Sequence, residues 1–352
     1  MKRLMLAGLL LQAACQAQAS DVLRVYNWNL YIEPQVIREF ERQYGARVDY
    51  QTYTTPQELD DALARGETWD VIVPLHYQLK AMQMRQQLQP LNLAQLPNRQ
   101  FVDPALGAML AGFDKQSSDY AIPYMWGSVG LLLNPQQTEQ ALGEPAAASW
   151  RLLFDPEQSG RLQACGISLL DTPDEVLSLA MNYRGRTLGQ STPRQIQRQT
   201  QALQPLLDKA RMVDDRQYFQ AIAAGRLCIG MAWLGHALSA LDANPALRYV
   251  IPEEGSLMYI DSLAIPANAP NAALAHRFID FLLAPSNAVR NSLAARAYSS
   301  LDAQHPAARE LASTAPNLVP SSRQRRQLHL LENLSDKQKA AINQAWAELR
   351  KP

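Results

Sequence analysis

Residues 22–73 alternate between two hydrophobic periods, and this alternation narrows the possible folds more than any other feature of the chain. Val22 to Tyr26 has the spacing of a strand. Glu33 to Tyr44 then places Val36, Ile37, Phe40 and Tyr44 on one helical face and stops at Gly45. Arg47 to Tyr53 returns to strand spacing. Thr55-Pro56-Gln57-Glu58 has the form of a capping box with proline at the first helical position, and the helix it opens turns Leu59, Ala62 and Leu63 inward before Gly66. Trp69 to Val73 reads as a buried strand broken by Pro74. A β-α-β-α-β opening of this kind requires a mostly parallel sheet covered by helices, which is the α/β class.

The pattern recurs later in the chain. "ACGISLLDTPDEVLSLAMNY" reads as strand, turn and helix, with Asp171 or Thr172 as the cap and Pro173 at the helix start. "GRLCIGMAWLGHALSAL" reads as a strand that breaks at Gly235 into a helix. Between the two α/β portions lies "YAIPYMWGSVGLLLN", residues 120–134, apolar and free of turn residues, which suits a strand passing between two lobes. "SLMYIDSLAIP" reads as the return crossing. The final "SDKQKAAINQAWAELR" has an S-x-x-Q cap and an Ile342, Trp346, Leu349 stripe, the marks of a docked terminal helix.

The first residues read as an export segment. Lys2 and Arg3 precede the apolar run Leu4–Leu11, and Ala17-Gln18-Ala19 forms a cleavage site before Ser20. That run is too short to span a bilayer as a helix. The alternative, a lipoprotein anchored through Cys15, has Gln12 where leucine is wanted. Export leaves Cys165 and Cys228 as the mature cysteines, either one disulfide in an oxidising compartment or two buried thiols. Lys plus Arg equals Asp plus Glu, 33 each, so bulk charge argues against nucleic acid as the main partner.

There is no G-x-S-x-G elbow, H-E-x-x-H, G-x-G-x-x-G or P-loop in the chain. Five histidines are scattered without metal-ligand spacing, His76 and His236 among them after strand-like runs. No metal or cofactor is expected. What remains is a set of aromatics and acids at strand ends, where open parallel sheets bind ligands. Trp28 and Tyr31 follow the first strand, Tyr77 the third, and Trp233 the strand through Met231. Glu175 sits in the first turn of its helix, where a carboxylate is favourable by itself. Tyr259 and Asp261, two apart, share one face of the late strand. Aromatic faces attract ammonium groups by about 0.5–2 kcal/mol, and a partly buried carboxylate adds a charge-assisted hydrogen bond. Each aromatic taken singly fits core packing equally well. Together they suit an extended aliphatic amine.

Taken in order, these segments resemble the periplasmic spermidine/putrescine-binding proteins of ABC transporters. "LRVYNWNLYIEPQVIREFERQYGARVDY", "WDVIVPLHYQL", "YAIPYMWGSVGLLLN", "SWRLLFDPE", "LLDTPDEVLSLAMNY", "GRLCIGMAWLGHA", "MYIDSLAIPANA" and "FIDFLLAPSNA" follow the family's order through essentially the whole mature chain. The resemblance implies a type II periplasmic-binding fold, two α/β lobes joined by a hinge with the ligand cleft between them. The expected lobes are residues 20–128 with 259–305, and 129–258 with 306–352. It implies a monomer that works with an inner-membrane ABC permease and performs no chemistry. Cys165 and Cys228 resemble the disulfide-forming pair of the putrescine-binding branch.

Residue by residue, Trp28, Tyr31, Tyr77, Trp233 and Tyr298 match the family's aromatic box, and Tyr259 stands at another aromatic position. Glu175 and Asp261 match amine-holding carboxylates, and Asn29 matches a hydrogen-bonding position. Leu30 falls where the family has an acid, Leu75 replaces a small hydroxyl residue, Thr172 or Asp171 only approximates an acidic position, and His236 falls where the putrescine branch has Asp. These departures leave little charge for the second end of a diamine. They imply a shifted ligand: a monoamine, a guanidino amine such as agmatine, or an ω-amino acid whose carboxylate meets His236, a side chain neutral or positive near neutrality. Two rivals are a sensor with the same fold and an exported hydrolase using Glu175 and Asp261 as a carboxylate pair.

Overall fold

The structure, a computed structural model, describes residues 21–350. The export segment, its cut after Ala19 and the Cys15 alternative lie outside these residues. The strands are β1 (Val22–Trp28), β2 (Arg47–Tyr53), β3 (Val71–Ile72), β4 (Ala121–Leu133), β5 (Ile167–Leu169), β6 (Ala210–Val213), β7 (Ile229–Trp233), β8 (Arg248–Val250), β9 (Ser256–Ala264), β10 (Tyr298–Ser299) and β11 (Leu328–Leu330). They follow one hydrogen-bonded path, β2-β1-β3-β9-β4-β7-β5-β6, with β8 and β10 on β4 and β11 on β9.

β1 lies between β2 and β3, all three parallel, as the opening periodicity predicts. β5, with β6 and β7 at its sides, forms a second parallel group. The groups meet through β4 and β9, which run antiparallel from Ala121 opposite Ala264 to Ser128 opposite Met258. Beyond Ser128, β4 leaves β9 and pairs with β7 and β8. One strand thus serves both halves of the molecule. All 13 of its positions are buried, the pattern of a strand covered on both faces.

Leu23, Val25, Phe40, Phe278 and Ile279 centre the core of the first half. Leu131, Leu177, Ile229, Met231 and Trp346 centre the second. A further cluster with Trp126, Met258, Ile260 and Tyr298 fills the seam between them. The terminal helix Asp336–Leu349 docks on the second core through Ile342 and Trp346, and Ser335 and Gln338 cap it reciprocally. Among the described residues no helix is long and apolar enough to cross a membrane.

Several boundaries depart from the sequence reading for local reasons. β1 runs on past Tyr26 because Trp28 still pairs with Tyr53. Only Val71 and Ile72 of the Trp69–Val73 run join the ladder, while Trp69 stacks on Tyr26 at 4.6 Å. The helix after β7 begins at Leu234, so Gly235 lies inside its first turn and breaks nothing. Thr55 accepts the Glu58 amide at 3.3 Å, but the Glu58 carboxylate reaches back to the amide and hydroxyl of Thr54, at 2.9 Å each. Thr172 stands at the cap of the helix Pro173–Tyr183 without making a capping bond; its hydroxyl goes to Asp215.

Cys165 and Cys228 precede β5 and β7, where Ile167 pairs with Ile229. That register brings the two Cα atoms to 5.5 Å, and the cysteines are bridged. Of the two readings left open by cysteine count alone, the disulfide holds. Gly127 faces Tyr259 across the β4–β9 ladder, and a Cβ at Gly127 would lie 2.8 Å from Tyr259 Cε2. The missing side chain is what lets this phenol lie across β4.

Candidate functional site

The first wall of the site forms where β1 ends. Trp28 Nε1 donates to the Val73 carbonyl at 3.0 Å, and its ring is tilted against Tyr53 at 4.5 Å. The Asn29 amide extends the ladder by donating to the Tyr53 carbonyl at 3.0 Å. Leu30 then takes a left-handed backbone, with φ at 59°, and exposes 72% of its surface. The chain turns back so that Tyr31 lies 6.4 Å from Trp28, and Tyr31 Oη donates to Asp261 Oδ2 at 2.7 Å. Tyr124 Oη fixes the turn by donating to the Tyr31 carbonyl at 2.9 Å.

Leu30 is poorly suited to this backbone, because Cβ crowds the carbonyl in the left-handed region; asparagine tolerates it better. Leu30→Asn is expected to stabilise the unliganded protein by about 1 kcal/mol, read as a higher Tm. An unchanged or lower Tm would contradict the strain argument.

β9 supplies the floor. Tyr259 and Asp261 share a face, as their spacing predicts, and Asp261 is 1% exposed. Burial pushes the Asp261 carboxyl up to about 7, against the pull of the Tyr31 hydrogen bond and of the nearby Trp28 indole. Burial first, and then the Asp261 and Glu175 carboxylates, hold the Tyr259 hydroxyl well above the usual phenol range. Tyr77, from the segment after β3, packs against the core of the second half, so the halves meet across the cleft. Burial and the facing Glu175, Asp174 and Asp261 raise its hydroxyl as well. Tyr298 is buried against Trp126 at 4.6 Å, and burial lifts its hydroxyl to about 12.

The second half contributes Glu175 and Trp233. Trp233 Nε1 donates to Glu175 Oε2 at 2.8 Å. Burial pushes Glu175 up to about 8; the Trp233 bond lowers it and nearby Asp215 and Asp174 raise it further. The Trp233 amide donates to Tyr218 Oη at 3.1 Å, and the same hydroxyl lies 3.1 Å from His236 Nδ1. His236 stacks on Phe219 at 4.4 Å and meets the Trp233 edge at 5.5 Å. Burial pushes His236 down to about 4 despite the opposing pull of Asp214. Burial thus favours the neutral imidazole in the unliganded protein, which weakens the case for an ω-amino acid carboxylate at this position.

The structure thus links Trp28, Tyr31, Tyr77, Glu175, Trp233, His236, Tyr259, Asp261 and Tyr298 through direct contacts or facing charges. Asn29 is different: it lies exposed on the turn beside Leu30, and its side chain makes no hydrogen bond among the described residues. His76 has no share in the site. It is buried 3.4 Å from the Leu331 carbonyl, and burial lowers it to about 4. Sequence reasoning missed Tyr218 and Asp215. Both follow the carboxyl end of β6, and strand-end position was the cue that could have found them. Among the described residues no group of three or more His, Cys, Asp or Glu is arranged to hold a metal ion. A broad open hollow elsewhere is lined by Arg42 and Arg290 among others, but Arg290 is already bound to Glu33 and Glu39 at 2.7 and 2.6 Å.

Comparison with known proteins identifies the family. Residues 35–301 match the family described as bacterial extracellular solute-binding protein. The putrescine-binding periplasmic protein SpuD of Pseudomonas aeruginosa is 29% identical over 99% of this chain and 96% of its own. The putrescine-binding periplasmic protein PotF of Escherichia coli is 30% identical over 78% of this chain and 77% of its own. A solved structure, a putative spermidine/putrescine ABC transporter from Listeria monocytogenes, superposes with a TM-score of 0.79 at 28% identity, covering 94% of this chain and 99% of that one. The fold is that of the periplasmic binding proteins, and the chain belongs to the bacterial extracellular solute-binding proteins.

Proposed function

We propose that this protein is the periplasmic solute-binding component of an ABC importer, and that it captures a polyamine-like dication of the putrescine class. The observation that carries the reading is the pair of buried carboxylates on opposite halves, Asp261 held by Tyr31 and Glu175 held by Trp233. Neither carboxylate is ion-paired by the protein among the described residues, and aromatic side chains surround both. Such groups are costly to ionise until a cation arrives. The names of the relatives support the ligand class: besides putrescine, they name spermidine, cadaverine and agmatine.

The lobes in this reading are 20–128 with 259–305 and 129–258 with 306–352, the ligand drawing them together; the two main core clusters support this division, whereas Leu311, Leu318 and Leu328 pack with Leu106, Trp126 and Tyr298 of the first lobe. The closed form would be what an inner-membrane permease recognises. Export with cleavage after Ala19, a monomeric state and the absence of catalysis belong to the same reading. Agmatine remains within the ligand class, whereas the neutral His236 disfavours an ω-amino acid.

Thermal shift and titration with putrescine, cadaverine, spermidine, agmatine and 4-aminobutyrate test the proposal. Dications are expected to raise Tm, because ligand that binds only the folded state stabilises it by mass action; 4-aminobutyrate is expected to leave it unchanged. Affinity for putrescine is expected to rise from about pH 6 to about pH 8, as Asp261 and Glu175 ionise, while the amines stay charged to about pH 10. Absence of binding by every amine, or tight binding of 4-aminobutyrate alone, would overturn it.

A further inference from the structure

The second half of the cleft carries more negative charge than the sequence motifs account for. Asp215 sits in the turn after β6, in the same turn that presents Tyr218. Its Oδ1 accepts the Asp171 amide at 2.7 Å, and both its oxygens lie at long range from the Thr172 hydroxyl, 3.4 and 3.3 Å. Oδ2 therefore has one weak partner. Glu175, nine-tenths buried, spends Oε2 on Trp233, and its Oε1 makes no hydrogen bond among the described residues.

The charges around this pair are acidic. Asp171 and Asp214 face Asp215, and Asp174 and Asp215 face Glu175. Lys339 faces Asp174 and Asp60 from the terminal helix, and Arg350 reaches Asp171 at 3.6 Å. Neither cation is an ion-pair partner of Asp215 or Glu175 among the described residues. Elsewhere this protein closes its acids with arginine, as at Asp103 with Arg325 and Glu39 with Arg290, both at 2.6 Å. Two neighbouring carboxylates without such a partner, one of them held against Trp233, repel each other and lose hydration. A cation between them offsets both costs.

We propose that Asp215 is a ligand-holding, specificity-determining residue, which joins Glu175 to grip one ammonium end of a diamine while Asp261 holds the other. This supplies the second-end charge whose loss Leu30 and His236 implied, from an unexpected part of the chain. Burial supports the assignment by pushing Asp215 up to about 6, with Asp171 and Asp214 adding to the rise. A dication displaces protons held at both ends, so the site selects two charges over one.

This inference rests on the polyamine reading, and the experiment separates the two. Wild type, Asp215→Asn and Thr172→Val are titrated with putrescine and with n-butylamine, which has the same carbon chain and one ammonium. Wild type is expected to prefer putrescine. Asp215→Asn keeps an oxygen for the Asp171 amide, so its apo Tm is expected to be unchanged or higher. Its affinity for putrescine is expected to fall at least about 10-fold, its preference over n-butylamine to shrink, and proton release on binding to decrease. Thr172→Val removes the hydroxyl contact without removing charge and is expected to keep the preference. If wild type binds putrescine and Asp215→Asn binds it equally well, or if Thr172→Val reproduces the loss, the assignment of Asp215 is overturned. If wild type binds no amine, the polyamine reading itself fails.

Discussion

Asp261→Asn and Glu175→Gln are each expected to raise the Kd for a diamine by about 100-fold or more, while leaving the unliganded protein as stable as before or more so. Removing one partner of a buried charge pair costs about 2–5 kcal/mol of binding, and the amide keeps the shape of the site. The opposite response of stability follows from linkage. Unfolded carboxyls ionise near pH 4, whereas folded Asp261 and Glu175 resist until about 7 and about 8. Between those values the unfolded state binds fewer protons, so each group lowers stability as pH rises through the window, by on the order of 4 kcal/mol once complete. The neutral amides have no such term. Wild-type Tm is therefore expected to fall between about pH 4 and about pH 8 more steeply than that of either variant. Variants that melt with the wild-type pH profile, or bind a diamine within a few-fold of wild type, would show that these carboxylates are neither strained nor used.

Opening the disulfide is expected to be the largest purely structural loss. Cys165 and Cys228 are 63 residues apart, and closing a loop of that length in the unfolded chain is worth about 4 kcal/mol on the chain-entropy view. Both cysteines belong to the second half, beside the β5–β7 pairing that places Trp233. The double variant Cys165→Ala and Cys228→Ala is expected to lower Tm by several degrees, as is reduction by dithiothreitol. Diamine affinity in the still-folded protein is expected to change little. A Tm shift below about a degree in both experiments would mean that the bridge constrains little of the unfolded chain.

What the sequence made legible was periodic. The β-α-β-α-β opening, the long apolar run of β4 and the Tyr259–Asp261 spacing each carry their meaning within a few residues, and each holds. Aromatics at strand ends pointed to the cluster around Asp261 and Glu175, because parallel strands bring their ends together. Properties set by distant neighbours were not legible. His236 looked able to carry charge, and only its burial against Phe219 makes it neutral. Thr172 looked like a cap, yet its hydroxyl is drawn to Asp215, 43 residues away. Asp215 carried no sign of its own in the sequence; only the fold brings it to the Asp171 amide and the Thr172 hydroxyl, at the start of the helix that carries Glu175. The sequence also gave no sign that the backbone at Leu30 is left-handed.

That backbone has a consequence for how the ligand range can change. Binding sites usually gain new specificity by accepting conformational or electrostatic strain, so that function is traded against stability. At position 30 the strain is already present and comes from a side chain exposed to water. Aspartate and asparagine occupy that conformation more easily than leucine. A substitution that places an acid at position 30 would relax the turn as it adds an acceptor beside Trp28 and Tyr31, leaving an adaptive route along which the usual trade-off does not oppose selection.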